Sequence, residues 1–269
     1  MKCVAAIQMA SGPNIDANLN EAARSIDAAV KAGAELVVLP ENFALMPNNE
    51  MDNITNAEQD GQGKIQDFLV EQAKKNNVWI VGGTVPILAS SGDKVRAACL
   101  VFDNNGERVA RYDKIHLFDV ELVDSNEHYT ESKTIEPGDE VVVIDSPFGR
   151  LGIAICYDLR FPELFRAMLD KGAEVFVVPS SFTAITGRAH WEIIVRGRAI
   201  ENLSHVIAAA QGGYHVNGRE THGDTMIVGP WGKVLDRLPQ GSGFVIADID
   251  EERLASTRRN FPAIKHRKL

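Results

Sequence analysis

The 269-residue chain sets 28 Lys and Arg against 37 Asp and Glu, a formal net charge of −9, with 45% hydrophobic residues. That balance argues against a nucleic-acid footprint or a polybasic membrane surface, while leaving room for a local basic pocket. The three cysteines, Cys3, Cys99 and Cys156, are odd in number and far apart, unlike a secreted disulfide framework, and no Cys or His spacing reads as a metal site.

In chain order, residues 2–9 (KCVAAIQM) read as a buried strand. The opening MKCVAAIQMASGPN is too short for a membrane span and does not resemble a signal peptide, so a cytoplasmic protein is expected. From Asp16, apolar residues at Leu19, Ala23, Ile26 and Val30 recur at helical spacing until Gly33. ELVVLP (35–40) is a strand closed by Pro40, and a helix over roughly 64–76 presents Ile65, Phe68, Leu69 and Ala73. VWIVGGTV (78–85) is the next strand, and two more, near 95–103 and 107–112, flank the Asn104–Gly106 turn.

The second half repeats this order. RLGIAICYD (150–158) is a strand, followed by a helix near 162–172 with Leu164, Phe165, Met168 and Leu169. EVFVVPSSF (174–182) is the counterpart of ELVVLPENF (35–43). A helix over 188–203 leads to SHVIAAAQGG (204–213), then to a strand near 224–229, the Pro230–Gly232 turn, KVLD and GFVIADID (243–250), before a charged tail. Two α/β halves of the same order imply two sheets packed face to face with helices outside. Runs such as VFVV lack clean alternation, as strands buried on both faces do. No linker separates the halves, which predicts one domain over 1–269 with internal pseudo-symmetry.

Reactive groups in α/β sheets gather at the carboxyl ends of strands. Glu41 follows the strand ELVVLP, Lys114 follows ERVARYD, and Cys156 ends LGIAI. Each has a plain structural alternative: a small buried thiol, a carboxylate near a helix start, a solvated lysine. Together they could supply a base for a thiol, a nucleophile, and a cation for the oxyanion formed when an amide carbonyl is attacked. That set needs neither metal nor cofactor.

LPENF (39–43), YDKIHLFD (112–119) and ICYDLRFPE (155–163) resemble the three signature segments of the nitrilase, or carbon–nitrogen hydrolase, superfamily. ESKTIEPG (131–138), VVPSSF (177–182), the helix with AHWE and RAIEN, and GDTMIVGPWGKVL (223–235) fit it too, so the resemblance spans nearly the whole chain. It implies a four-layer α-β-β-α sandwich, usually paired into a homodimer. It also implies Glu41 as general base, Lys114 as oxyanion-stabilising residue, Cys156 as nucleophile, Glu131 as a second glutamate beside the lysine, and the Tyr157 backbone N–H as a further oxyanion donor. For Glu131 the alternative is a surface acid in a loop that also holds Glu127 and Glu136. Arg160 offers a bidentate fork for a substrate carboxylate, or forms a structural pair with Asp158 or Glu163.

His116, His190 and Trp191 are expected to pack or hydrogen-bond, and Cys3 and Cys99 to lie in the core. The resemblance is to the Nit branch, which includes ω-amidases and deaminated glutathione amidases. It implies a small-molecule amide substrate bearing a carboxylate, with release of ammonia through a Cys thioester. An N-carbamoyl amino acid amidohydrolase is the alternative, and a non-catalytic scaffold on this fold a remoter one. The loop 44–60 departs from recognisable segments and is expected to line the pocket.

Overall fold

The structure is a computed structural model that describes residues 2–49, 51–122 and 127–268. The first half opens with β1 (Lys2–Gln8), α1 (Ile15–Lys31) and β2 (Leu36–Val38). The short α2 (Met51–Thr55) and α3 (Lys64–Asn76) follow, then β3 (Trp79–Val81), β4 (Val85–Leu88), β5 (Val95–Phe102) and β6 (Arg108–Asp113). A hairpin of β7 (Asp119–Leu122) and β8 (Glu127–Thr130) leads across to β9 (Val143–Ile144). The second half runs β10 (Leu151–Ile153), α4 (Pro162–Asp170), β11 (Val175–Ser180), α5 (Ala184–Asn202) and β12 (His205–Ala210). After a second hairpin, β13 (Gly212–Tyr214) with β14 (Glu220–His222), come β15 (Thr225–Val228), β16 (Val234–Leu238), β17 (Gly243–Ile249) and α6 (Glu251–Asn260).

Each half contributes three parallel strands, β1-β2-β3 and β10-β11-β12, flanked by antiparallel ones. The sheets are ordered β17-β1-β2-β3-β5-β4, with β6 also on β5, and β16-β15-β12-β11-β10-β9. Alternation along β1 assigns the layers. Val4 and Ala6 join a cluster with Val206, Ala208 and Met226 of the second sheet. Ala5 and Ile7 point the other way, to Leu19 and Ile26 of α1 and Leu69 of α3. Helices α4 and α5 cover the far face of the second sheet through Phe165, Trp191 and Val195. The result is the four-layer α-β-β-α arrangement that two repeated halves predict.

Several elements differ from the periodicity. The 78–85 strand is cut at Gly82 and Gly83, where Gly83 takes φ +55°. α1 buries Ala22 and Ala29 rather than Ala23 and Val30: both sets have helical spacing, but the buried stripe is turned part-way round the helix, and Val30 packs half-buried at its edge. α5 begins at Ala184, four residues early, capped by Thr183, whose Oγ1 accepts from the Thr186 N–H at 3.3 Å. The expected 150–158 strand ends at Ile153, and residues Cys156–Arg160 form a 3₁₀ turn. The C-terminal tail contains α6, and β17 crosses to pair with β1 over Lys2–Gln8, sealing the halves together. Cys99 is fully buried, but Cys3 is only half-buried, a correction to its expected place in the core. Asp248 on the neighbouring strand and Glu35 lie close enough to push its thiol pKa up after burial.

Candidate active site

A cavity of about 420 Å³ opens where the carboxyl ends of β2, β10 and β11 meet, and it is lined by Glu41, Lys114, Glu131, Cys156, Tyr157 and Arg160 among others. All six residues picked out from the sequence therefore reach one cavity. Glu41 lies in the turn after β2, where Asn42 adopts φ +60° and donates its N–H to Thr84 Oγ1 at 2.8 Å. Gln211, at the end of β12, donates to the Glu41 carbonyl at 3.1 Å and to Ser11 Oγ at 2.8 Å. The acid is thus fixed from both halves of the chain.

Lys114 follows β6 and is 2% exposed. Its Nζ donates to Glu41 Oε1 at 2.8 Å and to both Glu131 oxygens at 2.9 Å. Glu131, the first residue of a short 3₁₀ turn after β8, also accepts from the Phe118 N–H at 2.6 Å. A surface-acid reading of Glu131 is excluded by this geometry. Burial by itself favours the neutral amine, but the charges of Glu131 and Glu41 override it and hold the Lys114 pKa well above the ordinary lysine range. Two carboxylates around one cation leave excess negative charge, and burial raises the Glu131 pKa.

Cys156 opens the 3₁₀ turn with φ +47°, a conformation unusual for a non-glycine residue. The side chain is 8% exposed, and its Sγ accepts from the Ser181 N–H at 3.4 Å. Burial pushes the thiol pKa up, Glu41 adds to that, and Lys114 opposes it without prevailing. The thiol therefore rests protonated beside a carboxylate able to take the proton.

The turn is held by Asp158, fully buried, whose Oδ2 accepts from the Tyr112 hydroxyl at 2.7 Å and the Ile155 N–H at 2.9 Å. Its Oδ1 meets the His116 N–H at 3.0 Å and His116 Nδ1 at 2.7 Å. Tyr112 and His116 flank Lys114 in sequence, so one carboxylate ties the Cys156 turn to the Lys114 segment. With Asp158 so occupied, the alternative of an Arg160–Asp158 pair does not form, nor does one with Glu163. Arg160 instead meets His190 Nδ1 at 3.1 Å and lies between the rings of Tyr157 and Phe182, at 5.8 and 5.1 Å. His116 stacks on Phe161 at 3.6 Å, and Trp191 is buried with its Nε1–H on the Asp224 carbonyl at 2.7 Å.

The loop expected to line the cavity does so through Pro47, Asn48, Asn49 and Asn53, while Glu50 lies outside the described residues. Ser181, Asp158, Gln211, Tyr129 and Arg219 were not singled out from the sequence. A signal existed for Ser181: in the paired segments EVFVVPSSF and ELVVLPENF it stands where Asn42 stands, and both line the cavity. For Arg219 there was none, since it arrives on the β13–β14 hairpin, whose residues carry no recognisable spacing.

A family model described as carbon-nitrogen hydrolase matches residues 3–259. A protein of Yersinia enterocolitica, named deaminated glutathione amidase, is 42% identical over 264 residues, covering 98% of this chain and 92% of its own. The crystal structure of Saccharomyces cerevisiae Nit3, a member of branch 10 of the nitrilase superfamily, superposes with a TM-score of 0.89 at 31% identity, covering 100% of this chain and 97% of its own. The C. elegans NitFhit protein superposes with a TM-score of 0.92 at 35% identity over 99% of this chain, which spans 65% of NitFhit. With the fold, the cavity and nearly every residue inside the matched span, the chain belongs to the carbon-nitrogen hydrolase family, in the Nit branch of the nitrilase superfamily.

Proposed function

We propose that this chain hydrolyses the amide bond of a small, carboxylate-bearing substrate through a thioester on Cys156. The observation that carries the reading is Lys114: an ammonium 2% exposed, held 2.8 Å from Glu41 and 2.9 Å from Glu131, on the cavity wall that also presents the Cys156 thiol. The protonated thiol attacks the amide carbon as Glu41 takes its proton, forming an S–C bond and placing negative charge on the carbonyl oxygen. Lys114 Nζ and the Tyr157 N–H, at the start of the 3₁₀ turn, stabilise that oxygen. Glu41 returns the proton to the departing nitrogen, the C–N bond breaks, and a thioester remains. Water then attacks the thioester, Glu41 takes a proton from it, and the sulfur leaves with that proton as a thiol. Glu131 keeps Lys114 in place, and Arg160 holds a substrate carboxylate, its charge met in the structure by a histidine rather than an acid.

The name of the Yersinia relative supports an acyl group of the α-keto-acid kind. The test is a panel of α-ketoglutaramate, deaminated glutathione, N-carbamoyl amino acids and nitriles, read for ammonia, primary amine and carbon dioxide. Ammonia is expected from primary amides, and a cysteinylglycine dipeptide from deaminated glutathione, whose amide nitrogen is substituted. Carbon dioxide released along with ammonia from the carbamoyl compounds, faster than any amide is cut, would favour the carbamoylase. Full turnover by Cys156→Ala would overturn the mechanism.

We infer further that residues 1–269 act as one catalytic unit, in the cytoplasm, as a homodimer. One core cluster draws on both halves, no helix among the described residues is long and apolar enough to cross a membrane, and an apolar face stands open on α5. Ile193 and Ile200 lie exposed on that face, with Ile200 against the turn at Gly232, and the exposed rings of Trp231 and Phe261 pack 5.2 Å apart.

A further inference from the structure

Hairpin β13–β14 belongs to neither main sheet, and a ribbon of two three-residue strands has little stability of its own. Tyr214 and Val216 are exposed on it, yet His215 between them is buried. The two ring nitrogens have one partner each: the Ser11 carbonyl lies 2.7 Å from Nδ1, and Thr221 Oγ1 lies 2.7 Å from Nε2. A carbonyl only accepts, so Nδ1 carries the hydrogen, and the neutral ring takes the Thr221 hydroxyl hydrogen on Nε2. Burial, and behind it the charge of Arg219, lowers the His215 pKa and favours that neutral ring.

From this ring two chains of hydrogen bonds lead to the reacting groups. Ser11 Oγ donates to the Phe43 carbonyl at 2.8 Å and accepts from Gln211 Nε2 at 2.8 Å, and the same amide donates to the Glu41 carbonyl at 3.1 Å. Gln211 Oε1 accepts in turn from the Ser11 N–H at 3.0 Å. The Glu41 turn is thus held through Ser11 at two of its carbonyls. On the other side, the His215 N–H donates to the Arg219 carbonyl at 2.9 Å, which closes the hairpin turn. Arg219 Nη2 donates to the Ser181 carbonyl at 2.6 Å, and the Ser181 N–H reaches Cys156 Sγ at 3.4 Å. His215, Ser11, Gln211 and Thr221 are all buried, so water does not replace a bond lost among them. Asn217 gives the hairpin a further bond, to the Pro47 carbonyl at 2.7 Å, but that one is exposed.

We propose that His215 is a positioning residue for the hydrolysis: its ring ties the hairpin to Ser11 and so holds the base Glu41 and the thiol of Cys156 in register with each other. The proposal rests on the amidase reading above. His215 is not among the residues that line the cavity, so its effect falls on kcat more than on KM. The thiol gives up its proton to Glu41 as it attacks, and a displacement of about 1 Å in such a pair costs about a hundredfold in rate.

The experiment compares His215→Phe, His215→Asn and His215→Gln with wild type on α-ketoglutaramate. The Asn amide nitrogen stands close to the place of Nδ1 and can donate to Ser11, whereas that of Gln stands near Nε2 and reaches Thr221. His215→Phe is expected to lower kcat about tenfold or more while KM changes less than about threefold, with most of the loss recovered in His215→Asn and little in His215→Gln. A loss carried by KM alone, or equal kcat in the Asn and Gln variants, would overturn the proposal. A second measurement needs no turnover: alkylation of Cys156 by iodoacetamide, read by peptide mapping, with the half-buried Cys3 as internal control. In His215→Phe, as in Glu41→Gln, Cys156 is expected to react about tenfold or more slowly than in wild type, with Cys3 unchanged. Cys156 reacting at the wild-type rate overturns the proposal. Faster reaction at Cys3 would mark unfolding of the Phe variant, and the comparison of Asn with Gln then decides. If wild type cuts no amide of the panel, the amidase reading fails while the alkylation rates still decide the role of His215.

Discussion

Lys114 carries its charge where water barely reaches, and the cost is met by two carboxylates within 2.9 Å. Removing one partner of such a cluster leaves the others unpaired, which costs about 3–5 kcal/mol. Lys114→Met is therefore expected to lose about that much stability at neutral pH as well as activity. The pH dependence of the loss is informative. Burial already raises the Glu131 pKa above its unfolded value, and removing the ammonium that opposes this raises it further. A group of that kind contributes stability that is complete below the unfolded pKa, about 4.3 for Glu, and lost as pH rises through the folded value. Urea unfolding should thus find the deficit of Lys114→Met shrinking as pH falls toward 4, and a deficit independent of pH would contradict this account. The same crowding explains the Cys156 thiol. Burial and Glu41 keep it protonated, so the base must act in the same step as the attack and not before it.

At the scale of elements, the site depends on turns more than on the strands that lead into them. Gly83 ends the β3 segment at φ +55°, and a Cβ there would lie 2.2 Å from the Pro40 carbonyl oxygen, one residue before Glu41. A left-handed backbone costs a residue with Cβ about 1–2 kcal/mol, and the clash adds to that. Gly83→Ala is expected to displace the Glu41 turn and to reduce kcat by about tenfold or more, since small misplacements of a base are costly. Thermal unfolding checks that the fold survives, and a normal kcat in a folded variant would show that the turn tolerates the shift. These turns were also the hardest part to read from the sequence. The apolar run LGIAI looks like one strand through Cys156, yet the strand stops at Ile153 as the chain turns and the Ile155 N–H is donated to Asp158. Glu41, Lys114 and Cys156 were legible because each ends an apolar run. The hairpins β7–β8 and β13–β14 were not, being short, polar and without alternation, and they bring Tyr129 and Arg219 to the cavity.

At the scale of the molecule, repetition made the sandwich legible, since each half carries the same strand–helix order and the same antiparallel flank. What repetition could not indicate was the exchange at the end, where β17 leaves its own half to pair with β1. Pairing preferences between distant strands leave no local pattern in either one. The proposed homodimer draws on what the sandwich leaves open. Ile193 is 73% and Ile200 50% exposed, one above the other along α5, and large apolar side chains exposed together mark an interface. For a 29.4 kDa chain, light scattering should find a particle of twice that mass, and the double variant Ile193→Asp, Ile200→Asp should run at the mass of one chain. A monomeric wild type, or a dimer indifferent to both charges, would move the interface elsewhere or remove it.

The mechanism requires a covalent acyl group on Cys156. Wild-type protein mixed with an amide that it turns over, quenched in acid within milliseconds and analysed by intact mass and peptide mapping, tests it most directly. A fraction heavier by the acyl group, mapped to Cys156, is expected in wild type, and no such species or turnover in Cys156→Ala. Turnover with Cys156 never acylated, or an acyl group on another residue, would contradict it.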